Sequence, residues 1–141
     1  MARIRDFFVY EADFNALAAA ASANNNINVQ ADSDFLLQKI TYQADIAGGA
    51  QTSSTVVIPL CTIQITDGGS GRSLFALPAP IPNIFGTGQI PFILPTPKVF
   101  AAKSTITVIL ANYSNATTYN IRLSFIGAKL FNGTNAPTVI S

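Results

Sequence analysis

The sequence predicts an all-β protein: an antiparallel β-sandwich or single jelly roll with about eight strands and one short N-terminal helix. Three observations predict it. After residue 27, apolar and polar residues alternate through most of the chain, the period of a half-buried strand. Clusters of Gly, Asn, Asp and Pro interrupt these runs at short intervals. Only one stretch has a helical composition, and no internal repeat is visible.

Residues 4–10 read as extended, with Ile4, Phe8 and Tyr10 on one side and Phe7 and Val9 on the other. A segment apolar on both faces wants cover, which near a terminus another subunit can supply. The helix is expected over residues 13–22, capped by Asp13, favoured by the run Ala18 to Ala21 and ended by Asn24, Asn25 and Asn26. Ile27 and Val29 start a strand, residues 35–46 give the next, and residues 55–66 a long one whose middle, 56–61, is apolar on both faces. Pro59 places that strand at an edge or a bulge. Residues 67–71 form a turn, and 72–77 follow as a strand. Residues 77–97 hold most of the prolines and also Ile81, Ile84, Phe85, Ile90, Phe92, Ile93 and Leu94. Prolines stiffen such a segment by lowering loop entropy, so it either covers an open end of its own sandwich or docks on a neighbour. The clearest alternation comes last: Ile106, Val108 and Leu110, a turn over 112–118, then Tyr119, Ile121, Leu123, Phe125 and Gly127. This divides the chain into an arm with its helix, 1–26, and a jelly-roll domain, 27–141.

The chain of 141 residues suits one domain able to bury roughly 68% of its unfolded surface. Eight Lys/Arg and seven Asp/Glu make only 15 charged residues, where average usage gives about 35. There is no His, no Trp and one Cys, which excludes His-based acid/base chemistry, His-ligated metals and intrachain disulfides. All seven carboxylates lie within residues 1–67, where three cations leave a net charge of −4; the rest carries five cations and nets +5. Those five are spread rather than clustered, which argues against nucleic acid. Opposite signs at the two ends suit contact between copies. Asp6, Glu11 and Asp13 interrupt what would be the apolar core of a signal peptide, and six prolines break the uncharged stretch 73–97 as a membrane helix. The expectation is a chain made in a cytoplasm, with no membrane partner and Cys61 reduced on a strand. The sequons at Asn112, Asn115 and Asn132 carry little meaning there.

Candidate chemistry is sparse. Asp32 and Asp34 put two carboxylates on one side of an extended chain, about 6.5–7 Å apart by strand rise. They read as a solvated turn bonding backbone amides, with calcium shared with Asp67 as a minor reading. The run from Gly68 to Arg72 lacks the Gly-Lys-Ser/Thr ending of a phosphate loop and reads as a hairpin turn. Lys39, Lys98, Lys103 and Lys129 would each need a depressed pKa to act as nucleophiles. Tyr10, Tyr42, Tyr113 and Tyr119 read as core or rim aromatics. The expectation is no enzyme: no catalytic residue, no cofactor and no metal.

The stretch Ala31-Asp32-Ser33-Asp34-Phe35-Leu36-Leu37 together with Gly71-Arg72-Ser73-Leu74 carries a resemblance. So do Phe100-x-x-x-Ser104-x-Ile106-x-Val108-x-Leu110-x-Asn112-x-Ser114 and Tyr119-x-Ile121-x-Leu123-x-Phe125-x-Gly127-x-Lys129-x-Phe131. Over about residues 27–131 the chain resembles small jelly-roll virion proteins of tailed bacteriophages, several of which decorate or cement the capsid shell. The resemblance implies a sandwich on the capsid exterior that oligomerises, as a dimer or trimer, and sits on major capsid protein with its N-terminal segment as an arm. The helical N-terminal stretch and the Pro-rich middle depart from that pattern. Two surfaces carry this reading: Arg3, Arg5, Phe7, Phe8 and Tyr10 for the partner, and Ile81, Ile84, Phe85, Phe92 and Ile93 for self-association. Each can instead fold back on its own sandwich. The alternative reading is a host-receptor or glycan-binding knob, or a neck, tail or fibre component.

Overall fold

The computed structural model describes residues 4–47, 57–87 and 89–131, without the side chain of Ile4. Nine strands and one short helix run in the order β1 (Ile4–Leu17), β2 (Ser22–Asn28), β3 (Asp34–Ile46), β4 (Cys61–Asp67), β5 (Arg72–Ser73), β6 (Ala79–Pro80), α1 (Ile81–Ile84), β7 (Phe92–Phe100), β8 (Thr105–Asn112) and β9 (Tyr119–Phe131). One sheet has the order β1-β9-β3-β7, the other β2-β8-β4-β5, with β6 also on β4. All pairings between these strands are antiparallel.

This order is a nested hairpin rolled up. β4 pairs with β5 and β6, β3 with β7, β2 with β8 and β1 with β9; wrapping then lays β9 against β3 and β8 against β4. The chain thus crosses between the sheets at most of its connections, as a jelly roll does, and the predicted sandwich is what forms. Phe35, Phe100, Phe125, Leu37, Ile63 and Ile121 from the facing sheets lie fully buried between them. The inward residues of β8 are the predicted Ile106, Val108 and Leu110, and those of β9 begin with Tyr119, Ile121, Leu123 and Phe125.

Four expected elements differ. No helix forms over 13–22. β1 runs through to Leu17, carrying Tyr10, Ala12 and Phe14 inward at period two, and Ala18 to Ala21 make the turn into β2. Ala exceeds ordinary residues by at most about 0.7 kcal/mol each in helix propensity, whereas burying Phe14 and Leu17 contributes about 2 kcal/mol apiece. Ala16 and Ala20 take left-handed backbone, φ 55° and 59°, where the strand breaks and the chain reverses. Within 55–66 the strand starts only at Cys61; residues 55 and 56 lie outside the described residues, and Pro59 sits ahead of the pairing instead of at an edge or bulge within it. β5 is two residues long, because Leu74 onward bends away. The Pro-rich middle supplies β6, α1 and most of β7. Pro95 and Pro97 are tolerated because β7 is an edge strand, and its register on β3 breaks between Lys98 and Ile93.

The boundary at residue 26 falls inside β2, and β1 pairs with β9 from Ile4 to Leu17. The N-terminal segment is therefore one wall of the sandwich and not an arm projecting from it. The apolar inward side of residues 8–14 finds its cover within the same chain.

Candidate functional site

Strand alternation divides the predicted partner-binding residues. Arg3 lies outside the described residues. Arg5 and Phe7 point outward, and Phe7 is 77% exposed. Phe8 and Tyr10 point inward: their rings meet edge to face at 4.8 Å, and Tyr10 meets Phe35 the same way at 4.8 Å. The Tyr10 hydroxyl accepts the Gln30 amide at 3.0 Å. Burial pushes its pKa up, that hydrogen bond pulls it down, and the charge of Asp32 pushes it up again. Lys129, from β9, closes this end of the core. Its ammonium sits 4.1 Å from the Phe8 ring centroid, donates to Gln30 Oε1 and pairs with Asp32 at 3.4 Å. A lysine with 9% of its side chain exposed is tolerable here because ring, amide and carboxylate share its charge.

The predicted self-association residues divide in the same way. Ile81 and Phe85 are buried in the core, Phe85 edge to face with Phe125 at 5.9 Å, so these two plug their own sandwich. Ile84 and Phe92 line an apolar cavity of about 420 Å³ between the β3–β7 and β4–β5 edges, together with Leu37, Ile40, Phe75 and Leu94. Lys98 stands at its lip, paired at 3.5 Å with the buried carboxylate of Asp67. Only Ile93 points outward, 63% exposed.

The register then shows a surface that neither set of residues described. On the outer face of the four-stranded sheet, Phe7, Ala128, Leu36 and Val99 lie in one row across all four strands. The next row is Val9, Ile126, Lys39 and Ile93. A solvent-facing sheet surface ordinarily alternates to polar side chains, yet seven of these eight are apolar. Phe7, Ile93 and Val99 are 77%, 63% and 43% exposed. Farther along, the same face returns to Glu11, Ser124 and Thr41, then Asp13, Arg122 and Gln43. The outer face of the other sheet is mostly polar and uncharged: Asn24, Asn26 and Asn28 lie beside Ile109, Thr107 and Thr105 and then Gln64 and Thr66, with Ile109 its one exposed large apolar side chain among these. The signal was present in β9: polar Asn120, Arg122 and Ser124 give way at the same parity to Ile126 and Ala128.

The remaining candidates are structural in position. Asp32 holds Lys129, and Asp34 accepts the Ala102 amide at 2.9 Å. Asp67 accepts the Gly69 amide at 2.9 Å and the Ser70 hydroxyl at 3.1 Å, which closes the 67–71 turn. Among the described residues, no three or more Asp, Glu or Cys side chains come together as a metal site. Burial pushes the Cys61 thiol up to about 11. Lys39 and Lys103 are exposed, Tyr42 is half-buried, Tyr113 is exposed and Tyr119 is buried. Asn112 is 2% exposed, so its sequon is closed to modification in the folded chain. No protein-family model, characterised protein or solved structure matches the chain.

Proposed function

We propose that this chain is a structural subunit of a tailed-phage particle, a jelly-roll protein that decorates the capsid shell by burying one sheet face on major capsid protein. The observation that carries the reading is the apolar band on the outer face of the four-stranded sheet. Phe7, Ile93 and Val99 are exposed and Val9 and Ile126 half-buried, while Leu36 and Ala128 between them are buried by their neighbours; apolar side chains left in water along one sheet face mark an interaction surface. The band runs across all four strands of one sheet and includes Lys39 as its single charge. Those properties suit docking on a broad protein surface better than enclosing a small substrate. The sequence resemblance supplies the identity of the partner, and the jelly-roll strand order accords with it.

The test is co-sedimentation of the full chain with tailed-phage shells stripped of surface proteins. Wild type is expected to pellet with the shells, whereas Ile93→Lys and Val99→Lys, each keeping its circular dichroism spectrum, stay in solution. A folded wild-type chain that ignores the shells overturns the capsid reading. Deleting residues 1–24 would not serve as a test, since it removes β1 and part of β2.

A further inference from the structure

β1 is also an edge. Among the described residues it pairs with β9 alone, and it carries no proline over 14 residues. The other edges are managed differently: β7 holds Pro95 and Pro97, β5 has two residues, and β2 is half as long as β1. A long, unblocked edge presents a row of unpaired backbone groups to any strand that matches it.

The direction of those groups follows from the far side of the same sheet. The Tyr42 amide donates to Gly86 O at 2.8 Å, and Ile40 O accepts the Gly86 amide at 3.2 Å, so these even residues of β3 face away from β9. Alternation then turns Thr41 toward Ser124, sends the odd residues of β9 toward β1, and bonds them to Phe8, Tyr10 and Ala12. The odd residues of β1 therefore point their N–H and C=O to the open side. Asp13 agrees: its carbonyl accepts the Asn25 side-chain amide there at 3.0 Å, which ends the open stretch. What is left is Arg5, Phe7, Val9 and Glu11.

These four are complementary to themselves. Turned antiparallel about Phe8, Arg5 lies opposite Glu11, Phe7 opposite Val9, and then the same two pairs recur in reverse. Both members of every pair belong to the set whose backbone groups face outward, so the register can form complete hydrogen-bonded pairs. Arg5 has no ion-pair partner among the described residues and is exposed; Glu11 is exposed too, with one carboxylate oxygen accepting the Ser124 hydroxyl and the other open to a partner. We propose that the occupant of this edge is the β1 strand of a second copy of this chain, paired antiparallel about Phe8 with Arg5 of each protomer against Glu11 of the other. The interface is isologous and closes after two copies. It fuses two four-stranded sheets into one of eight strands, and Phe7 and Val9 join the two apolar bands across the seam. The dimer does not depend on any shell, so it is tested on the chain alone and its failure leaves the capsid reading to its own test.

Sedimentation equilibrium of the full chain at micromolar concentration is expected to show a dimer. Arg5→Glu and Glu11→Arg each place like charges opposite one another at two points of the seam, and each is expected to weaken the dimer about 10-fold or more. The double variant, with the charges exchanged, recovers it. Val9→Pro removes an amide that faces the seam and not β9, so it is expected to give a folded monomer. A wild-type monomer, or a dimer indifferent to both charge reversals and to Val9→Pro, overturns the proposal.

Discussion

Gly127→Ala tests how the two long strands of the first sheet are held together. β3 bulges between Leu37 and Lys39, in register with both β7 and β9, and Gly127 lies opposite Leu37 at that point. A Cβ on Gly127 would stand 1.8 Å from Leu36 O, 2.9 Å from its carbonyl carbon and 3.2 Å from Leu37 Cα. Carbon and oxygen in weak contact sit about 3.3–3.6 Å apart, so the backbones must separate by about 1.5 Å. The obstacle is main chain, and no rotamer change relieves it. Moving β9 off β3 disturbs the pairing along the bulge and the packing of fully buried Phe125 and Leu37 behind it. Overpacking against a well-filled core costs about 1–3 kcal/mol; with ladder hydrogen bonds also stretched, the expected loss is about 3–5 kcal/mol. For a chain of this length that lowers Tm by about 10–15 °C. Urea unfolding should show a reduced midpoint with an unchanged slope. Gly71→Ala is the control: it has φ +71° and nothing within 4 Å of its added Cβ, so it costs only the left-handed strain of about 1–2 kcal/mol. If Gly127→Ala proves no worse than Gly71→Ala, the close approach of β3 and β9 is not a constraint on this fold.

The other predictions concern groups whose surroundings are equally specific. Asn112 donates to Leu17 O at 3.0 Å and Thr117 O at 2.8 Å and accepts the Ser114 amide at 2.9 Å. Asn112→Asp keeps the shape and loses both donors, so chemical denaturation should show a loss of about 2–4 kcal/mol. Cys61 should resist alkylation at pH 8 until denaturant is added. Its thiol ionises at about 11 when folded against an ordinary 9.0; below pH 9 both states hold the proton, and above it the unfolded state loses the proton first. Stability should therefore fall between pH 9 and 11, by up to about 3 kcal/mol more in wild type than in Cys61→Ala. Ile93→Lys and Val99→Lys, on the outward face, should change stability by less than about 0.5 kcal/mol while raising solubility, measured by urea unfolding and precipitation.

The sandwich was legible because its late strands are half-buried, and a strand wet on one face writes its orientation into every second residue. Ile106 to Leu110 and Tyr119 to Phe125 could be read in this way residue by residue. In the N-terminal region two signals conflict. Tyr10, Ala12 and Phe14 continue the period of two past Asp13, while the alanines that follow favour a helix by composition; burial of Phe14 and Leu17 decides the outcome. The Pro-rich middle had neither period, since its apolar residues serve three destinations. Ile81 and Phe85 enter the core, Ile84 and Phe92 line a cavity, and Ile93 faces outward. Proximity to a terminus says nothing of which way a strand residue faces: of the five expected partner residues, Phe8 and Tyr10 point inward, Arg5 and Phe7 outward. The outer band needed the cross-strand register, because Phe7, Leu36, Ile126 and Val99 are scattered along the sequence and adjacent only in the sheet.

The scarcity of charge takes on a definite form once it is placed on this framework. A sandwich of this size has two outer faces to keep in water. Among the described residues, one is wetted mainly by Asn, Thr and Gln around Ile109; the other is apolar along two rows and carries its charges, among them Arg5, Glu11, Asp13 and Arg122, mostly to either side. Ordinary selection for solubility would place Lys or Glu at positions 7, 93 and 99, whose side chains are exposed and leave the core untouched. Folding alone therefore does not account for those residues. Nor does edge protection, since the same chain puts two prolines on β7 and none on β1. An apolar face and a long, proline-free, self-complementary edge on one sheet both bring the risk of association, and they share Phe7 and Val9. On the two proposals above, that sheet serves association: the edge would set which copies meet, and the face they jointly present would set what the pair covers.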